Sequence, residues 1–187
     1  MDTRGDIDRL YAVADDVLAA VGIRAGQTCL DFGCGYGNYT IPLARRVGPT
    51  GEVLALDQDE EALGRLAERV RRAGVGNIRP LPASGKTALP LEDASVDVVL
   101  LYDVLHDHYF SAKRRAALFK ELDRVTRAGG RLSVFPRHMT DRQIEREVVA
   151  KATRLGFAKV REYFGSVVHD NAITEGRILT FRRNGGS

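Results

Sequence analysis

Short apolar runs alternate with amphipathic helical stretches along nearly the whole chain, and this alternation restricts the fold more than any other feature. Residues 28–32, 53–56, 77–81, 96–102 and 131–135 read as strands. Residues 7–21, 38–47, 59–72, 111–127 and 141–155 read as helices. In the first helix Ile7, Leu10, Tyr11, Ala14, Val17, Leu18 and Val21 share one face, the spacing of an amphipathic helix. Ser111 is a candidate helix cap, Thr140 with Gln143 a candidate capping box, and Ala128-Gly129-Gly130 a helix stop. The run Val96 to Tyr102 is the most apolar of the chain, as in a central strand covered on both faces. Strands alternating with helices imply an α/β fold, a parallel sheet with helices on both sides. Two further strands, 158–164 and 177–181, close the chain, joined by a polar loop holding His169, Asp170 and Asn171.

The length of 187 residues predicts one domain over residues 1–187. Cys29 and Cys34 cannot form a disulfide framework, and they are neither spaced as CxxC nor flanked by a histidine cluster, so no metal is expected. No apolar run approaches the roughly 20 residues of a membrane span, and the first residues are not those of a signal segment. A cytoplasmic protein is expected. The net charge is +3, with acidic and basic residues interspersed. Short basic knots occur at Arg71-Arg72, Lys113-Arg114-Arg115 and Arg182-Arg183; none is long or interleaved with aromatics, which disfavours nucleic acid as a partner.

The first strand runs into Asp31-Phe32-Gly33-Cys34-Gly35-Tyr36-Gly37. Glycines there let the backbone turn tightly and approach a ligand, and the next helix aims its N-terminus at the same place. In an open α/β sheet ligands bind beyond the carboxyl ends of the strands. The pattern is D-x-G-x-G-x-G, and Asn38 departs from the G-x-G-x-x-G/A nicotinamide fingerprint. Asp57 ends the second strand, where a carboxylate can accept both hydroxyls of a ribose diol; the alternative for Asp57 is a helix cap or a solvated turn.

These stretches resemble class I S-adenosylmethionine-dependent methyltransferases, especially the type 11 group with the ubiquinone and menaquinone biosynthesis enzymes. LDFGCGYGNYT, GPTGEVLALDQDEEAL, LPLEDASVDVVLLYDVLH and ELDRVTRAGGRLSV follow in the family's order over roughly residues 20–135. The resemblance implies a Rossmann-like, doubly wound, seven-stranded sheet, mostly parallel with the last strand antiparallel. It implies S-adenosylmethionine as cofactor. Asp31, Gly33 and Gly35, in the loop that Gly37 closes, would hold its methionine end; Asp57 would bind the ribose and Gln58 lie against the adenine. Ser84-Gly85 stands where the family usually has an acidic residue and a small one. Tyr102 and Asp103 would border the sulfonium and the acceptor.

The segment 102–110 crowds titratable and aromatic residues after the central strand. His106 is the candidate base and Asp103 its orienting partner, and the alternative for His106 is local packing. Among members that methylate amino groups of DNA, an Asn/Asp-Pro-Pro-aromatic tetrapeptide follows the fourth strand; here that place reads Tyr102-Asp103-Val104-Leu105, so DNA is not expected as substrate. The family's small-molecule enzymes often insert a lid after the fifth strand, and the helix 141–155, which follows almost directly after Pro136-Arg137-His138-Met139, leaves no room for one. The pocket roof then falls to the N-terminal helix, residues 103–111 and the 165–176 loop. The leading expectation is a methyltransferase of a small-molecule acceptor, with a homodimer possible. Methylation of a protein or RNA, and a cofactor-binding module without catalysis, are the alternatives.

Overall fold

Five side chains of the strand Val96–Tyr102 (β4), Val96, Val98, Val99, Leu100 and Leu101, are wholly buried, each burial favouring the fold by about 1.5–3 kcal/mol. Val98, Leu100 and Tyr102 pack to one side of the sheet, Val99 and Leu101 to the other. A strand so placed is central. A computed structural model of the chain, which describes residues 4–83, 88–106, 109–136 and 142–185, puts it in the middle of seven.

The remaining strands are Thr28–Phe32 (β1), Glu52–Asp57 (β2), Ile78–Pro82 (β3), Thr126–Phe135 (β5), Phe157–His169 (β6) and Ala172–Arg183 (β7). Their order across the sheet is β3-β2-β1-β4-β5-β7-β6. β1 to β5 run parallel, and β7 lies antiparallel to both neighbours. The helices are Arg4–Val21 (α1), Thr40–Val47 (α2), Glu60–Ala73 (α3), Ala112–Val125 (α4) and Arg142–Arg154 (α5). One core joins α1 and α2 to Cys29, Val53, Val98 and Ile178, and a neighbouring cluster seats Leu66 of α3 by Ala55. The opposite core joins α4 and α5 to Leu30, Leu54, Leu132 and Phe181. The doubly wound, mostly parallel sheet expected from the sequence is present, with helices on both faces.

Local chemistry sets the element ends. Asp59 caps α3 by accepting from Glu61 N and Ala62 N, and Gly74 closes it in the left-handed region. Ser111 caps α4 as expected, through Arg114 N. Thr140 of the candidate capping box lies outside the described residues. Arg115, in one of the basic knots, is buried; it donates to Phe110 O and pairs with Glu147 of α5, so it braces two helices.

Two boundaries differ from expectation. α4 ends at Val125, and the Ala128-Gly129-Gly130 stretch belongs to β5. There one residue of β4, Asp97, stands opposite four of β5, between the pairs Val96 with Thr126 and Val98 with Arg131. Gly129 takes φ +75°, and a Cβ on Gly130 would meet Thr126 Cγ2 at 2.7 Å, Arg127 O at 2.8 Å and Asp97 O at 3.0 Å. The two glycines therefore make a bulge rather than a helix stop. The expected 165–176 loop is also absent: β6 and β7 form one long hairpin, and Asp170 and Asn171, both at positive φ, make its two-residue turn.

Gly130→Ala forces that crowding on backbone atoms. It should destabilise the protein by about 1–3 kcal/mol, read as a lowered urea midpoint at unchanged slope.

Candidate functional site

β1, β2 and β4 end on the same side of the sheet, and the loops leaving them surround a cavity of about 840 Å³. That is large enough for a nucleoside-sized ligand and a second small molecule. The loop after β1 is its floor. Gly33 N and Cys34 N both donate to Leu56 O at the end of β2 (2.7 and 3.1 Å). Gly33 has φ +77°, and a Cβ there would lie 2.3 Å from Val104 Cγ1. Gly37 has φ +88°, and a Cβ there would lie 2.4 Å from Leu66 Cδ1. Gly35 differs. It lines the cavity at φ +51°, and a Cβ there would meet no atom within 4 Å. Its bare backbone faces open space, as a close-fitting ligand requires.

Three carboxylates stand at the three strand ends. Asp57 accepts from Gly35 N (2.8 Å) through Oδ2 and from Asp59 N (3.0 Å) through Oδ1. It holds the glycine loop; the cap of α3 is Asp59. Each Asp57 oxygen keeps a further lone pair for a ligand hydroxyl. Asp31 is buried and accepts from Thr40 Oγ1 (2.7 Å). Burial pushes its carboxyl up to about 6, against the Thr40 bond, and the nearby Asp57 charge adds to the rise. Asp103 follows β4 with φ +58°. A left-handed aspartate carries strain of order 1 kcal/mol, and such strain gathers at functional sites.

The C-terminal hairpin closes one wall. Tyr39 OH bonds both Val168 N (2.9 Å) and Val168 O (3.3 Å), and Asn38 Nδ2 donates to Asn171 Oδ1 (2.9 Å). This seats His169 with Nε2 2.6 Å from Asp103 Oδ2 and Nδ1 3.4 Å from Asp170 Oδ2. The His169 ring meets Phe135 edge-on.

The cavity thus gathers Asp31, Gly33, Gly35, Asp57, Gln58, Tyr102 and Asp103 of the residues singled out from the sequence. Gly37 shapes the turn behind it. Ser84 and Gly85 lie outside the described residues. Tyr102 points its hydroxyl at Ser133 Oγ (2.9 Å), and burial holds its phenol well above the ordinary range. Burial pushes the Cys34 thiol up, and the nearby Asp31 and Asp57 charges add to the rise. His106 is not among the residues lining the cavity, and its ring meets that of Tyr109 at a tilt, 4.5 Å between centroids. The titratable partner that reaches Asp103 is His169, 66 residues further on. The Asp-Asn pair at 170–171 is the signal that could have found it, because such a pair marks a two-residue hairpin and places His169 at a strand end. Among the described residues, no group of three or more metal-ligating side chains occurs and no helix is long and apolar enough to cross a membrane.

Residues 29–130 match the family described as a methyltransferase domain. The demethylmenaquinone methyltransferase of Geobacillus kaustophilus is 33% identical over 116 residues, which are 62% of this chain and 47% of that protein. The ubiquinone/menaquinone biosynthesis C-methyltransferase of Escherichia fergusonii is 36% identical over 114 residues, 60% of this chain and 43% of that protein. The chain therefore spans about half the length of these curated relatives. In fold it is similar to a SAM-dependent methyltransferase from Aquifex aeolicus, with a TM-score of 0.74 at 23% identity over 97% of this chain and 99% of that one.

Tyr39→Phe removes the hydroxyl that serves Val168 N and O. It should cost about 1–2 kcal/mol, and amide exchange at residues 167–171 should quicken more than in β1 or β4.

Proposed function

The chain belongs to the methyltransferase domain family, and on that premise we propose that it transfers the methyl group of S-adenosylmethionine to a small-molecule acceptor. The observation that carries this reading is the joint opening of the bare Gly35 backbone and the Asp57 carboxylate onto one cavity. The first leaves space for a ligand against the loop, and the second offers lone pairs to a ribose diol. The name of the Aquifex aeolicus protein, and the similarity to quinone-pathway methyltransferases over the shared segment, support the same cofactor and reaction class.

Bound S-adenosylmethionine supplies a methyl group on a sulfonium, which leaves as a neutral thioether. The protein's part is alignment and charge. Asp57 binds the ribose hydroxyls, and Gln58, exposed beside it, lies against the adenine. Asp31, with Gly33 and Gly35, receives the α-ammonium of the methionine end. Asp103, at the end of β4, faces the acceptor side. Tyr109, Phe110 and Phe135 are aromatic residues of the cavity wall, and His106 contacts Tyr109. Holding two reactants in line can lower a barrier by up to about 7–11 kcal/mol.

Calorimetric titration with S-adenosylhomocysteine tests the cofactor reading; binding of NAD instead would refute it. Asp57→Ala should weaken that binding roughly tenfold to a hundredfold, the worth of a charge-assisted hydrogen bond. An unchanged dissociation constant would remove Asp57 from the ribose site.

Asp31 adds a pH signature. With its carboxyl held up to about 6, the group is partly protonated in mildly acid solution. A ligand ammonium binds only the ionised form, so binding releases a proton. Affinity for S-adenosylhomocysteine should be flat above about pH 7 and fall towards tenfold per unit below about pH 6. Asp31→Asn should bind more weakly and lose this dependence. The same shift acts on stability: a raised carboxyl binds its proton more readily folded than unfolded, so its contribution is greatest below the unfolded value near 3.8 and is lost as pH rises through about 6.

A further inference from the structure

We propose that four arginines at the end of the sheet away from the cavity, Arg24, Arg131, Arg161 and Arg182, form a binding site for a multiply charged phosphate group, a phosphomonoester or a diphosphate. This second site is independent of the methyl-transfer reading and stands or falls without it.

Three adjacent strands bring three of the four together. Arg131 and Arg182 are register partners in the antiparallel pair of β5 and β7, and Arg161 of β6 is paired with Thr180, two residues from Arg182. Residues opposite each other across a strand pair, or two apart along a strand, share a face of the sheet. It is the face that carries α1: Arg131 Nη1 donates to Gly22 O (2.9 Å) and Arg161 Nη1 to Ala20 O, where that helix ends. Arg24 follows two residues after Gly22, and its charge reaches Arg131. Two glycines leave room for the charged heads. A Cβ on Gly22 would stand 3.5 Å from Arg131 Nη1, and a Cβ on Gly129, in the bulge, 3.6 Å from Arg182 Nη2. Arg131 pairs with Val98, four residues before Tyr102 and Phe135, which pair in turn and line the cavity. Four strand residues set the two places roughly 13 Å apart.

Helix-end chemistry accounts for half of the cluster. A helix C-terminus favours cations, and Arg131 and Arg161 serve α1 in that way. Arg24 and Arg182 do not. Both are exposed, and among the described residues their guanidinium groups make no hydrogen bond. Nearby basic residues have acidic partners: Arg127 pairs with Asp97, and Arg183, the other half of the Arg182-Arg183 knot, pairs with Asp123. Among the described residues no carboxylate pairs with any of the four. Burial lowers the Arg131 guanidinium from its ordinary value, and the charges of Arg24, Arg182 and Arg161 lower it further. Like charges directly opposite each other across a strand pair are destabilising. The fold thus holds four cations at one place against their own repulsion, and a bound anion removes that repulsion.

The chemistry of the cluster selects the anion. All four residues are arginines, whose planar forks of donors match phosphate oxygens two at a time. A carboxylate has two oxygens and fills one fork. A phosphomonoester brings three terminal oxygens and up to about two negative charges, and a diphosphate brings more, enough for several forks at once. The cavity, lined by Asp31, Asp57 and Asp103, repels the same group. The two ends of the sheet therefore take ligands of opposite charge.

The test titrates the whole chain with inorganic diphosphate by calorimetry, at an ionic strength held constant with chloride. The wild type should bind one equivalent, and diphosphate at 100 times its dissociation constant should raise the melting temperature by roughly 5–10 °C. Arg182→Ala and Arg24→Ala should each weaken binding roughly tenfold to a hundredfold, the loss of a charge-assisted contact. Without diphosphate, Arg182→Ala should melt no lower than the wild type, because it removes a like-charge pair; an Arg182 that only braces the fold would lower it. Asp57→Ala, at the other end of the sheet, should leave diphosphate binding unchanged. A second arm offers phosphatidylcholine vesicles with and without phosphatidic acid, whose headgroup is a phosphomonoester. Binding of diphosphate gives a soluble phosphate compound as the source; retention by the phosphatidic acid vesicles alone, lost in Arg182→Ala, gives a lipid headgroup. The absence of Arg182-dependent binding in both arms, a destabilised Arg182→Ala, or loss of diphosphate binding on Asp57→Ala overturns the proposal.

Discussion

Gly33 has no room for a side chain. Its backbone turns at φ +77° between the carbonyl of Leu56, which it reaches by a 2.7 Å hydrogen bond, and the side chain of Val104. The ends of three adjacent strands meet around that one residue: β1 delivers it, β2 holds it, and the chain leaving β4 packs over it. A methyl group there would open the contact with Val104 and shift Asp103, the next residue back along the chain. The spacing of Asp31, Asp57 and Asp103 around the cavity depends on this close approach, because each carboxylate sits at or just beyond the end of one of the three strands.

Three carboxylates opening on one cavity make a demanding electrostatic site. Asp31 shows the cost most plainly: buried and close to Asp57, it holds its proton up to about pH 6. Such a site favours a ligand that brings positive charge, and less so a neutral or anionic one. The phosphates of a dinucleotide would meet the wrong sign here, which agrees with the departure of Asn38 from the nicotinamide pattern. Asn38 has other work. It accepts from Arg69 Nη1 (2.9 Å) and donates to Asn171, tying α3, the glycine loop and the hairpin together.

The inner strands were legible in the sequence because burial on both faces writes an unbroken apolar run, as in β4. The glycine loop and Asp57 were legible because close backbone approach and a strand-ending carboxylate leave local marks. The β6–β7 hairpin was legible only in part. Residues 158–164 and 177–181 read correctly as strands, but the stretch between them, rich in polar residues and glycine, reads as a loop although β6 and β7 continue through it to the turn. The start of β5 was hidden by Gly129 and Gly130, whose ordinary meaning after a helix is a stop. Here that signal lost to pairing with β4, which absorbs the extra residues in a bulge beside Asp97. His106 was singled out because it follows the central strand in a segment crowded with titratable residues, but its ring lies against Tyr109. Contacts across 66 residues leave no local pattern, and His169 is the case in point.

The position of His169 joins completion of the fold to completion of the site. β7 enters the sheet beside β5, and only then can β6 and the Asp170-Asn171 turn carry His169 across to Asp103. Tyr39 receives the hairpin at Val168, and Asn38 receives it at Asn171, so the residues that lead into α2 serve as its dock. β1 and β2 set the glycine loop and Asp57, and Asn38 ties that loop to the hairpin.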